Sequence, residues 1–193
     1  MKRITFDKIV TFVGFGLAVF LLIAAGLLNW GATFASGTVA SQLEAQAIAI
    51  PDSNGDPDAS ADVVAFFKDN GKSVMSTGKQ AQMYADHYIG YHLSKMPTYS
   101  SATGLARAAA GAAAMDPTNP EVQAALVKAN ATVESVFKGE SLRGMLLNAY
   151  AFGTLGMIAA IAAKVTFVGA IVMFLFVFAG VRHIRRTPLD ATI

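Results

Sequence analysis

Three histidines and a run of alternating acids are the residues with which this chain could do chemistry. His87 and His92 fall on one predicted helix, KQAQMYADHYIGYHLSKM. Five residues apart, they point in different directions and do not make the i, i+4 pair of a helical zinc site. Asp86, next to His87, is not a facing partner either. Asp52, Asn54, Asp56 and Asp58 alternate like the start of a calcium loop. However, Pro57 takes the place of the EF-hand glycine and Val63 that of the bidentate glutamate, so the segment reads as a solvated turn. His183 stands among arginines that flank an apolar run, where packing at an interface outweighs catalysis. Gly14-Phe15-Gly16 lies inside another apolar run and is no phosphate loop, and no GxSxG or HExxH pattern occurs. The sequence has no cysteine, which excludes disulfides, thiolate zinc sites, iron–sulfur clusters and CxxCH haem attachment. The expectation is a non-enzyme with no cofactor of its own.

The elements that would carry these residues are dominated by two apolar stretches. At 193 residues and 54% hydrophobic, the chain reads as a small membrane protein. The longer stretch, GESLRGMLLNAYAFGTLGMIAAIAAKVTFVGAIVMFLFVFAGVRHIRR, runs from Glu140 to Arg186. It far exceeds the roughly 20 apolar residues that cross a bilayer. Lys164 and Arg182 are eighteen residues apart, about 27 Å along a helix, close to the ~30 Å hydrocarbon thickness. Val165 to Val181 is therefore the expected span, with Lys164 at one headgroup layer and Arg182, Arg185 and Arg186 at the other. Leu142 to Ala163 is then an apolar helix projecting beyond the bilayer, and its glycines and alanines invite close contact with another backbone. Either the chain's own outer domain or another protein must cover it. A tilted helix with more of this segment in lipid, and Lys164 facing protein, satisfies the same residues. The first stretch, Ile9 to Ala35, exceeds the 7–15 residue core of a signal peptide and is expected to stay as a signal anchor, with Trp30 at its outer edge.

Charge sets the expected orientation. Lys2, Arg3 and Lys8 precede the first run and Arg182, Arg185 and Arg186 follow the last, whereas eleven acids face seven bases between Ser36 and Leu142. By the positive-inside rule both termini are cytoplasmic and residues 36–141 lie outside. The bases are membrane flanks rather than a soluble patch, so no nucleic-acid partner is expected. The middle segment predicts about four short helices. One carries Val63, Phe66 and Phe67 and stops at Asn70-Gly71; the next follows Gly78 with a tyrosine stripe, Tyr84, Tyr88 and Tyr91. An alanine-rich helix interrupted by Gly104 and Gly111 follows Pro97. The last starts with Asn119 as cap and Pro120 as first residue, and Gly139 is expected to close it. Ser36-Gly37 is read as a bend. No strand is expected. The fold class is thus an all-α membrane protein, a two-span hairpin holding a small helical extracytoplasmic domain. Its parts are 1–35 (basic N-terminus and first span), 36–141 (outer domain), 142–186 (long apolar helix with the second span) and 187–193 (cytoplasmic tail).

The runs GKQAQMYADHYIGYHL, YSSATGLARA and FKGESLRGMLLNAYAFGTLGMIA resemble a group of actinobacterial two-span membrane proteins. In size and topology these are similar to the small accessory subunits, or supercomplex association factors, of the cytochrome bcc–aa3 respiratory supercomplex. The resemblance covers roughly Lys79 to Arg186. It implies a structural subunit whose partners are cytochrome bcc and aa3 oxidase subunits. Under it, Arg143, Met145, Asn148, Tyr150, Phe152 and Gly156 are the expected partner contacts. Gly153-Thr154 departs from the Trp or Lys that many members carry after Ala-Phe, so contact details there do not transfer. Lys164, Arg182, Arg185 and Arg186 are the expected lipid-headgroup residues, with anionic phospholipid, cardiolipin included, as their ligand; topology alone also explains the arginines. The competing function is a free-standing membrane-anchored sensor or ligand-binding module, against which stands the lack of any cytoplasmic output domain among the basic tails.

Overall fold

The computed structural model describes residues 2–188. It is all helical, and among the described residues there is no strand, only an isolated antiparallel bridge between Ala49 and Val74. The helices in chain order are α1 (Arg3–Ala45), α2 (Ala61–Asn70), α3 (Gly78–Met83), a π-helical turn (Tyr84–Ile89), α4 (Gly90–Ser94), α5 (Tyr99–Met115) and α6 (Pro120–Ile184). Both α1 and α6 are long and apolar enough to cross a membrane. With 65 residues, α6 has about three times the length a bilayer requires. The chain divides into two compact units. One gathers the chain up to Gly37 and from Thr154 onward; the other is Thr38–Gly153.

In the first unit, α1 and α6 run antiparallel and meet along a seam of small residues. On α1 the buried positions are Ala18, Ala25 and Ala32; on α6 they include Ala163 and Ala170, and Gly156 is buried as well. Each series repeats every seven residues, the period of knobs-into-holes packing. The contacts follow in order: Thr11 opposite Gly180, Gly14 opposite Val177 and Met173, Leu21 opposite Gly169, Ala35 opposite Gly156. At Gly156 an added methyl group would lie 3.1 Å from Ala35 Cβ and 3.4 Å from the Ala32 carbonyl oxygen. The helices approach closely enough here that a side chain would crowd Ala35. The outer faces are bare and apolar; Phe12, Phe20, Trp30, Phe34, Leu175, Phe176 and Phe178 are all more than 60% exposed.

The second unit has a core of its own. Phe67 and Met75 are fully buried; Ile50, Leu146, Val136 and Leu43 are nearly so. Val39 and Leu43 come from residues 38–45 of α1, Val63 and Phe67 from α2, Ala81 to Ile89 from the α3 region, and Leu146 from α6. A short ladder joins the two loops beneath them: Ile50 N–H donates to Ser73 O (2.9 Å), Lys72 N–H to Ile50 O (2.8 Å) and Met75 N–H to Ile48 O (2.9 Å). Thr77 and Gln80 form a capping box at the start of α3. Gln80 Nε2 also donates to Asn70 Oδ1 at 3.0 Å, fastening the end of α2 to the start of α3. The Asn119 cap and Pro120 start of α6 are as the sequence predicts, with Glu121 N–H donating to Asn119 Oδ1 at 3.0 Å.

Three expected interruptions are absent, two of them for a visible reason. Gly139 does not end a helix, because α6 runs straight through it. Its missing side chain makes room for Leu93, whose Cδ2 would lie 2.8 Å from a methyl group there. Ser36-Gly37 does not bend α1 into two helices. The Ser36 hydroxyl donates back to Ala32 O (3.0 Å) and Thr33 O (3.2 Å), so it is satisfied within the helix. Gly104 and Gly111 likewise lie within an unbroken α5.

The second unit also needs a glycine at a crossing. A methyl group on Gly78 would lie 3.0 Å from Ala149 O, 3.1 Å from Tyr150 Cα and 3.3 Å from Gly153 Cα, and all three are backbone atoms. Gly78→Ala is therefore expected to destabilise this unit by about 1–3 kcal/mol. Gly104, with nothing within 4 Å, sits on an exposed helix face, and Gly104→Ala should stabilise by about 0.5–1 kcal/mol. Thermal loss of helical circular dichroism in mild detergent checks both; equal shifts would mean that the Gly78 crossing is not tight.

Candidate functional site

The polar site that the second unit builds is centred on Arg143, on α6. Its Nη2 lies 3.2 Å from Asp86 Oδ1 and its Nη1 3.8 Å from Glu140 Oε2. Gln82 Nε2 donates to the other Asp86 oxygen at 3.2 Å. The π-helical turn carries Asp86. Its wider register lets the Gly90 N–H donate to Ala85 O, the i→i+5 bond that defines such a turn. Gly90 faces the arginine: a methyl group there would be 3.3 Å from Ala85 O and 3.8 Å from Arg143 Nε. Arg143 Nε is itself buried without a hydrogen-bond partner. Beside the ion pair lies a groove of about 430 Å³ whose lining includes Leu93, Ser94, Pro97, Thr98 and Glu140. The pair is about one-third exposed on both sides, so it fixes the geometry of α6 against the π turn more than it stabilises the fold.

On the same segment the tyrosines form a stack. Tyr84 and Tyr88 lie 4.8 Å apart and parallel-stacked, Tyr88 and His92 4.5 Å apart, and Lys95 Nζ sits 4.8 Å above the Tyr91 ring. His92 Nδ1 is 2.7 Å from Tyr88 O. The acidic loop beneath is structural. Asn54 is buried and donates to His87 O at 3.3 Å, while Asp56 Oδ1 accepts from Asp58 N–H at 3.1 Å. Asp52 pairs with Lys72 at 3.5 Å. Among the described residues no three His, Asp or Glu side chains come together as a metal set.

The residues expected to touch partners are divided among different surroundings. Arg143 is turned into its own chain through Asp86. Gly156 is buried against α1. Met145, Asn148 and Phe152 are exposed, Met145 at 67% and Phe152 at 54%, and they share one helical face at i, i+3, i+7 spacing. Tyr150 lies on the other flank of α6 and is 37% exposed. Leu142, Leu146, Leu147 and Ala149, between these flanks, pack into the core. The chain itself thus covers one side of this apolar helix.

The expected headgroup residues Lys164, Arg182, Arg185 and Arg186 are all exposed. Lys164 lines a groove of about 350 Å³ with Leu22, Ala25, Asn29 and Phe167. The three arginines close one end of a larger groove of about 680 Å³. Near them His183 Nε2 stands 3.6 Å from Asp7 Oδ2, a buried oxygen without a hydrogen bond among the described residues. Sequence reasoning missed the Asp86–Arg143 pair, because its partners stand 57 residues apart and nothing in the residue spacing announces the π turn that carries Asp86. Comparison of the chain with protein-family models, with curated proteins and with solved structures gives no match.

Burial, with a smaller repulsion from Tyr88, raises the Tyr84 hydroxyl above its ordinary 10.0. A phenol harder to ionise when folded contributes stability that is whole below the unfolded value and is lost as pH rises through the folded one. Stability should therefore fall on the alkaline side from about pH 10, and Tyr84→Phe should flatten that limb. Denaturation midpoints at pH 8 to 11 test this; identical alkaline slopes in the two proteins would remove Tyr84 from the account.

Proposed function

We propose that this chain is a non-catalytic accessory subunit of a larger membrane complex, with the actinobacterial cytochrome bcc–aa3 supercomplex as the first candidate. The observation that carries the reading is the bare face of Met145, Asn148 and Phe152 on α6. It flanks residues that the chain buries in its own core, so the helix is already held rigid where a second protein would dock. Large apolar side chains standing free around one central polar amide are the composition of an interface core. The seam of α1 and α6, with apolar outer faces, suits a hairpin in lipid, where small residues let helices pack closely. The basic flanks favour a reading with both termini in the cytoplasm and residues 36–141 outside.

A single observation favours the sensor reading. The groove beside Arg143, with Asp86 and Glu140 on its walls, is large enough for a small polar ligand.

Purification of the tagged chain from its native membrane in mild detergent, read by haem spectrum and mass spectrometry, separates the two. The subunit reading predicts b-, c- and a-type haem with many respiratory subunits. Met145→Glu with Phe152→Glu should lower that recovery at least tenfold without altering helicity. A colourless, solitary chain would sink the subunit reading and leave the sensor reading in first place.

A further inference from the structure

We propose that the groove at the arginine end of the α1–α6 pair is a binding site for an anionic diacyl phospholipid. The inference deepens the membrane reading and rests on it. Polarity along the groove is ordered. One end is walled by the Phe15, Phe174 and Phe178 rings, with Phe15 and Phe174 edge to face at 6.2 Å; the other end is closed by Arg182, Arg185 and Arg186. That order matches an amphiphile whose apolar chain lies on the rings and whose anionic head meets the guanidinium groups. A free phosphate would use only the arginine end.

Arg182, in the last turn of α6, and Arg185 and Arg186, in the turn just beyond it, all line this one groove. Among the described residues none of the three is paired with a carboxylate. Guanidinium forks bind phosphate oxygens in a bidentate manner. The backbone does not help here. α6 ends at Ile184 and presents carbonyl oxygens, which disfavour an anion, so the side chains alone must hold it. The groove volume of about 680 Å³ lies within the range of small-molecule sites. Phe178 is 69% exposed, a ring left open for an apolar chain to cover.

The test uses the full chain in phosphatidylcholine nanodiscs doped with a minor fraction of phosphatidylglycerol, followed by native mass spectrometry after mild extraction. The wild-type chain should carry phosphatidylglycerol enriched at least fivefold over its share of the bilayer. R182Q/R185Q/R186Q should abolish the enrichment. Val181→Trp, which leaves every charge and fills the groove, should abolish it too, with helicity unchanged in both variants. Enrichment that survives the triple substitution overturns the site. Enrichment lost with the arginines but intact in Val181→Trp reduces the effect to surface charge and overturns the groove. A chain that inserts but shows no enrichment defeats this inference alone, whereas one that enters no bilayer defeats the membrane reading with it.

Discussion

Close approach of helix backbones is the constraint on which both units depend. α6 meets it with small residues on the faces that carry the contacts: Ala149 and Gly153 against Gly78 in one unit, Gly156, Ala163 and Ala170 along the α1 seam in the other. Side chains there would not merely crowd. At Gly78 and Gly156 the nearest atoms include backbone, which cannot rotate away. In lipid the argument sharpens, because hydrocarbon surroundings remove the hydrophobic drive between helices and leave dispersion and geometry to hold them. A seam of alanine and glycine maximises that contact per residue, while the large apolar side chains turn outward.

The second unit solves a different problem. Its helices α2, α3 and α4 are short, the described residues contain no cysteine for a disulfide, and several of its core positions are alanines that bury little area. Order comes from local polar fastenings set around a few large side chains. The capping box of Thr77 and Gln80, the Gln80–Asn70 bond, the Asn54–His87 bond and the Ile48–Met75 ladder each satisfy backbone or amide groups that would otherwise be stranded. Around Phe67, Met75 and Leu146 these bonds fix where the helices end and how they cross. The π turn belongs to the same economy of position. It carries Asp86, which meets Arg143 beside the polar groove described above.

The exposed surface differs between the two units. Large apolar side chains stand exposed on both: the Met145–Phe152 face on one unit and the outer faces of the long helices on the other. The arginine groove is the exception, cationic and apolar at once.

The sequence by itself determined the helical class, the two long apolar segments, the stop at Asn70-Gly71 and the start at Asn119-Pro120, because composition and caps are local properties. The seven-residue recurrence of Ala18, Ala25 and Ala32, and of Gly156, Ala163 and Ala170, was also written there, as spacing along the chain. Tertiary structure alone decided what each glycine is for. Gly139 reads as a helix end, yet it is a socket for Leu93; Ser36-Gly37 reads as a bend, yet the helix absorbs it. It also decided that Arg143 turns inward while Met145 and Phe152 stay out, since the arginine's partner Asp86 lies 57 residues away in sequence. Helix propensity is a property of neighbours along the chain, whereas a vacancy or an ion pair exists only once distant segments have met.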